Sequence, residues 1–528
     1  MSARNLDLKF NDGFTSYVNG VEGAHFDKYS MTDKSIGVKY FNLKVNVASS
    51  ENANNARIAE RYNNYDPYLA ERRRALTFLD ETTRNKVRDT MEFHPCVIFI
   101  METQKDYEGN IVNDKDGNPV SPIEGPLNIM HFYAAGDFGN SKKNHEVFGM
   151  NEDAYDNFLA AGDVLDTQEK VEAALAAQTE GKDEYISVIS TTDGESTETK
   201  YYYPNECIVE IADNNNPSQF FMLNNAWKEQ NVFDPIPDQD PSGNDVWNKD
   251  VEFRYPEILA DTRDDMEEDF KEKGTPINYG LWRLTELAEN RLRNKTRRLW
   301  QWVAQTDTTA TKSQTEINAL STTEKEDYKI FKRDPITGDY LDSSNNKIDA
   351  PFGADKAKRV PLTVTYSGTT YTYDSKEYRL AKFKNEFEDY LVARSAFFYY
   401  LFTSRYQMID NRAKNTFLHT ADGIHWDLCF DYDNDTALGI DNFGKLTLEY
   451  GTEDIDKFET EDEDGNKMIT GRFNGYQSTL WCNIRDCFED ELRDLYNELE
   501  GSNNDGCWSA TRLCNDFESY QNHKPEAL

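Results

Sequence analysis

Between residues 6 and 50 apolar and polar positions alternate, most clearly in VKYFNLKVNVASS, and a period of two predicts β-strands. The polar segment ENANNARIAERYNNYDPYLAERRRA interrupts this pattern before HPCVIFIME (94–102), a continuous apolar run of the kind a buried strand carries. Further strands are predicted at LNIMHFYAAGDFG, at ECIVEIADN (206–214) and at NKDVEFRYPE (248–257). The pattern then changes period. A helix is predicted over 277–303, and Phe383, Phe387, Leu391, Arg394, Phe398 and Leu401 recur at helical spacing, predicting one long helix that runs to Met408 and delivers Asp410 at its end. Trp481, Ile484, Phe488, Leu492 and Leu495 mark another helix, stopped by Gly501, and Cys514, Phe517 and Tyr520 mark a last one.

Three stretches break these patterns without adding apolar faces. QKDYEGNIVNDKDGNPVSPIEG (104–125) reads as an exposed hairpin, the insertion being placed at 103–124, and 149–203 is diluted in Ala, Glu, Asp, Thr and Ser, as a surface insertion would be. The third, 330–378, is strand-rich and contains PLTVTYSGTTYTY, a hairpin turning at Ser367 and Gly368. The acidic DTRDDMEEDFKEKGTP (261–276) reads as a linker. The expected fold class is α+β, with a strand-rich first lobe over 1–260 and a helix-rich second lobe over 277–528. No internal repeat is visible.

Composition narrows the partners. The chain has 528 residues, only 38% of them hydrophobic, but 30 Tyr, 30 Phe and 8 Trp supply large side chains for a core. Against 96 Asp and Glu stand 58 Lys and Arg, and the net charge of −38 opposes sequence-specific or general nucleic-acid binding and contact with anionic lipid. The one basic cluster, RLRNKTRR (291–298), reads as a helix face paired with acidic neighbours. Seven scattered cysteines without a CxxC pair predict reduced thiols, as in a chain made in a cytosol. The longest apolar run, AFFYYLF, is too short to insert in a bilayer. The Pro-led ending HKPEAL suggests that Leu528 is a cleavage point of a longer chain.

The candidate chemistry lies in DNRAKN (410–415) and in DYDND, which ends at Asp435. Phosphoryl transfer needs a carboxylate at the acceptor hydroxyl and oxygen ligands that hold magnesium against the nucleotide phosphates. Asp410 could act as the first, with Asn415, Asp433 and Asp435 as metal ligands; the competing reading is that these Asx side chains order turns. Asp137, Phe138 and Gly139 spell a decoy, because a kinase DFG follows the catalytic loop. ETEDEDGNK and NDKDGNP lack the acids that a calcium loop needs at its ends, and no phosphate-binding glycine motif, zinc-protease motif or nucleophile elbow occurs. The seven histidines show no ligand spacing, and His425 beside Trp426 is the one nearest the carboxylates.

DNRAKNTFL followed by DNDTALG resembles the paired signature of the CotH type of atypical kinase. The resemblance implies a two-lobed, kinase-like core with Asp410 as catalytic acid/base and Asn415 and Asp433, assisted by Asp435, as magnesium ligands. It departs from the family at Asn434, where an aromatic is usual, and assigns no nucleotide-gripping lysine; Lys142 and Lys143 are the candidates for that role. A second set of segments, VNVASSENANNARIAERYN, GDFGNSKKN, ECIVEIADN, FRYPE, IDNRAKNTFL, YDNDTALGIDNFGKL and SATRLCNDFESYQNHKPEAL, resembles large tail proteins of crAss-like podoviruses, of the muzzle type. That resemblance implies a structural, non-enzymatic virion protein made in the host bacterial cytoplasm. It implies assembly with its own copies and other tail proteins in a ring, with no cofactor and a CotH-like fold kept as scaffold. The rival is an active kinase using ATP and magnesium; a third reading, a host-facing binding module, rests on TVTYSGTTYTY alone.

Overall fold

The computed structural model describes residues 6–9, 14–18, 21–30, 32–44, 53–96, 110, 113, 115, 134–137, 145–192, 195–211, 251–335, 338–349, 353–408, 410–413, 415–428, 433–440, 446, 458–461, 467–470, 479–502 and 505–522. The chain opens with β1 (Leu6–Lys9), β2 (Phe14–Val18), β3 (Val21–Phe26) and β4 (Tyr40–Lys44), then α1 (Ala53–Tyr65), α2 (Leu69–Ala75), α3 (Glu81–Arg84), β5 (Phe93–Cys96) and β6 (Ala134–Asp137). Strands β1, β4, β6 and β5 form an antiparallel sheet in that order. Next come α4 (Asp153–Leu159), α5 (Gln168–Ala177), the ribbon β7 (Tyr185–Thr192) with β8 (Glu195–Tyr202), then β9 (Cys207–Ile211) and β10 (Val251–Tyr255).

The second half carries α6 (Ile258–Lys273), α7 (Tyr279–Gln305), α8 (Gln314–Ala319), α9 (Thr322–Lys325), the hairpin β11 (Val364–Tyr366) with β12 (Thr369–Tyr371), α10 (Lys376–Glu386), α11 (Ala393–Arg405) and α12 (Asp410–Ala413). It ends with β13 (Thr416–Thr420), the hairpin β14 (Phe458–Glu461) with β15 (Lys467–Thr470), α13 (Thr479–Cys487), α14 (Glu489–Glu500) and α15 (Ala510–Asn522). This mixture of helices and mostly antiparallel strands is an α+β architecture. Central β9 pairs with β10 on one side and with β13 on the other, so one sheet joins both halves of the chain. One apolar cluster likewise runs from Val38 to Trp508.

Three local expectations need correction, and one helix falls where no element was predicted. The polar segment after residue 50 is helical: Ala56, Ile58, Ala59 and Tyr62 fall on one face of α1 and are buried, Tyr62 edge-on to Phe398 and Phe402 with centroids 5.1 and 4.9 Å apart. The 149–203 stretch enters the core, because Tyr155, Phe158, Ala161, Val171 and Ile186 are fully buried, although Val164 and Ile189 stay exposed; β8 keeps the exposed pattern expected of the whole. The acidic 261–276 stretch is mostly helix α6, anchored by buried Leu259 and by Arg263 on Glu289 at 2.8 Å, and stopped by Gly274 in the left-handed conformation. The predicted 383–408 helix is two helices. Between α10 and α11 the chain straightens, Val392 N–H donating to the Trp426 carbonyl and Trp426 N–H to that of Tyr390, both at 2.8 Å.

The 330–378 stretch has a small apolar cluster of its own, Phe331, Tyr340 and Ile348. Its hairpin turns as predicted, Ser367 and Gly368 taking φ of 47° and 84° between the paired Tyr366 and Thr369. Most of 103–124, with Lys142 and Lys143, Gly139 and Leu528, lies outside the described residues. The basic cluster 291–298 is engaged: Arg291 lies over the Tyr203 ring, Arg293 pairs with Glu289 at 2.9 Å and Arg298 lies over Tyr390. Among the described residues no helix is long and apolar enough to cross a membrane, and the described cysteines are free.

Candidate functional site

Helix α11 ends at Arg405 and is closed by a six-to-one cap. Met408 N–H donates to the Thr403 carbonyl at 2.9 Å and Gln407 N–H to that of Ser404 at 3.2 Å, with Gln407 at φ 48° in the place glycine usually takes. The one-turn α12 then begins at Asp410 and is clamped from three directions. Its Asn411 carbonyl accepts the Tyr399 hydroxyl and the Thr416 hydroxyl, both at 2.8 Å, and its Arg412 carbonyl accepts the Trp481 indole N–H at 2.8 Å. Buried Arg412 turns back to the Tyr400 carbonyl at 2.9 Å and to the Ser404 hydroxyl, its guanidinium lying between the Tyr400 and Trp481 rings. The arginine inside DNRAKN is therefore a packing residue, a role its motif position did not reveal.

Asn415 follows at φ 54°, a left-handed residue that starts the wholly buried β13, and its Nδ2 has no hydrogen-bond partner among the described residues. The second element begins at Asp433, half-buried at φ 55°, and makes a short 3-10 turn over 434–439. Leu438 at φ 67° and Gly439 at φ 75° complete a run with three left-handed positions. A non-glycine residue there costs roughly 1–2 kcal/mol, so surrounding contacts must hold the turn. They come from distant elements: the Asn54 side chain on α1 donates to the Ala437 carbonyl at 3.0 Å, and Leu438 N–H donates to the Tyr406 carbonyl at 2.6 Å. Asn434 and Ala437 are fully buried.

Of the four residues singled out in sequence, Asn415 and Asp433 have described side chains. Asp410 is placed by its backbone at the start of α12, while its side chain and that of Asp435 lie outside the described residues. Among the described residues no group of three or more His, Cys, Asp or Glu could hold a metal ion. No family model, curated protein or solved structure matches the chain.

Beside β13 lies a buried ionic cluster that sequence reasoning did not find. His419 on β13 faces Asp427 across an antiparallel bridge, its Nδ1 2.8 Å from the Asp427 carboxylate and its Nε2 3.5 Å from Glu206. Arg72 pairs with Asp89 and donates to the Phe148 carbonyl, and nearby Asp66 accepts the Tyr68 N–H at 2.8 Å. Four acids thus surround two bases. Burial works against a charged imidazole, yet Asp427 and Glu206 outweigh it and raise the His419 pKa to about 9. Burial pushes Asp66 the other way for an acid, up to about 7, with Asp427 adding repulsion against the help of Tyr68 N–H and Arg72. The signal was the turn TADG, which brings FLHT back antiparallel to HWDL and sets His419 against Asp427; exposed His425 pairs with neighbouring Asp422.

Both shifts make acid conditions favour the fold. The His419 contribution is complete below its ordinary pKa of 6.5 and is lost as pH rises through about 9. Asp66 holds its proton more tightly folded than unfolded, so its contribution is lost earlier, as pH rises to about 7. The chain should unfold at a lower urea concentration at pH 9.5 than at pH 6, His419 alone accounting for about 3 kcal/mol. The His419→Gln variant should lose most of that slope; equal slopes in the two proteins would remove His419 from the explanation.

Proposed function

We propose that the chain is a structural component of a tailed-phage virion, a muzzle-type part of the tail, in which a two-lobed, CotH-like core serves as scaffold. The observation that carries this reading is the use made of the 433–440 loop. The segment matched to magnesium ligands instead bonds through its backbone to Asn54 and Tyr406, and Asn434 and Ala437 are sealed in the core. A loop so used fixes α1 to the end of α11. The net charge of −38 suits a tail component past which DNA must slide, since a like-charged lining repels phosphates. Its partners in this reading are further copies of itself and other tail proteins, its destination the virion, and its source the host bacterial cytoplasm.

The kinase reading keeps one observation in its favour: Thr436 Oγ1 is buried without a partner among the described residues, three residues past half-buried Asp433. In that reading Asp410 acts at the acceptor hydroxyl and Asn415, Asp433 and Asp435 hold magnesium against ATP.

Assembly supplies the test. The β7 and β8 ribbon exposes Ile189 at 68% and Tyr202 at 61%, and exposed aliphatic and aromatic side chains on a paired ribbon are suited to contacts between copies. Negative-stain imaging of the purified protein should show rings or tubes, and Ile189→Lys should leave the thermal midpoint within about 2 °C while dispersing them. A monodisperse wild-type monomer that hydrolyses ATP would overturn the reading.

A further inference from the structure

The 330–378 stretch closes over α10 and the end of α7, and between them lies a cleft of about 520 Å³. That is the size of a small-molecule site. No residue of 410–440 lines it, so it is separate from the kinase-like loops. Its floor is one face of α10, where Tyr378, Lys382 and Glu386 repeat every four residues, and its walls include Arg333, Tyr340 and Tyr390.

Two properties define what such a cleft takes. The first is that most of its charges are paired: three ion pairs close within it, while Lys329 reaches out to Glu326 and Arg333 donates to the Gly338 carbonyl. Arg379 holds Asp374 with two bonds of 2.7 Å, Lys382 lies 2.7 Å from Glu386, and Lys356 pairs with Asp327 at 2.5 Å. Paired charges give little net field to draw a phosphate or a carboxylate, yet they remain strong donors and acceptors. The Lys382 ammonium donates to Glu386, which leaves it further protons to give, and each Glu386 oxygen already accepts once, from Tyr366 or from Lys382, with a lone pair remaining. The second property is that these groups stand beside rings. Arg333 lies over the Tyr340 ring at 3.6 Å, while Tyr390 is stacked on Trp302 at 4.6 Å with Arg298 also over its ring.

A ligand that meets both properties carries no charge, offers donors and acceptors around its edge, and presents C–H faces to aromatic rings. We propose that this cleft binds a neutral mono- or disaccharide, with Lys382 and Glu386 holding ring hydroxyls and the tyrosine walls covering the sugar faces. This site is independent of the scaffold reading and stands or falls without it.

The experiment is saturation-transfer NMR on the full chain with millimolar galactose, mannose, N-acetylglucosamine and maltose, and with inorganic phosphate and benzoate as charged probes. Transfer to at least one sugar is expected, and Glu386→Gln and Lys382→Met should each weaken it about tenfold, the scale of a lost charged hydrogen bond. Both variants must keep the wild-type thermal midpoint; if one does not, the other decides. Transfer to no sugar overturns the proposal, as does binding of phosphate or benzoate alone. So does sugar binding that neither folded variant weakens.

Discussion

Replacing Arg61 by alanine is expected to cost about 2–4 kcal/mol of folding free energy, since it removes a buried guanidinium and its hydrogen bonds while Asp516, about a third exposed, stays solvated. Arg61 is 1% exposed and joins three elements: its Nε donates to the Tyr406 hydroxyl at 2.9 Å, one terminal nitrogen to the Cys507 carbonyl at 2.6 Å, and the other pairs with Asp516 on α15. Tyr406 also carries, on its carbonyl, the bond that holds Leu438. Losing Arg61 therefore loosens α15 and the 433–440 loop together. Urea unfolding of the wild type and of Arg61→Ala measures the cost, and a difference under about 1 kcal/mol would show that α1 does not fasten these elements.

Truncating Trp302 to alanine should be at least as damaging, by about 3–5 kcal/mol, because the side chain fills a fully buried slot that its neighbours cannot collapse into. The indole is 1% exposed and is stacked on both sides, on Phe383 at 4.7 Å and 14° and on Tyr390 at 4.6 Å and 11°. Trp302→Phe should recover roughly half the loss, since a smaller ring still separates its neighbours. Thermal or urea unfolding of both variants checks the order. Equal stability of the alanine and phenylalanine variants would mean that the slot rewards neither the volume nor the stacking of a smaller ring.

Features set by neighbouring residues were readable in the sequence. The β11 and β12 hairpin follows from TVTYSGTTYTY because Ser367 and Gly368 alone decide the turn, and Gly501 ends α14 as its position suggests. Helix α7 follows from its own apolar stripe, over nearly the predicted range. What was hidden depends on distant partners. The break between α10 and α11 exists because Trp426, much later in the chain, supplies the hydrogen bonds for Tyr390 and Val392, and nothing in the 383–408 periodicity records that. Helix α1 was masked by its polar majority, although its buried residues share one face. At the site, the motif spacing marked where chain direction changes, at Asn415 and Asp433, but not that Asn54 and Tyr406 would tie the second loop down.

Magnesium-dependent ATP turnover, measured on the wild type beside Asp433→Ala, tests most directly whether the DNRAKN and DNDTALG segments hold the fold together or carry out chemistry. The account predicts no turnover above the buffer rate in either protein, since the 433–440 loop is committed to Asn54 and Tyr406. Turnover in the wild type that Asp433→Ala abolishes would contradict it and establish the kinase reading.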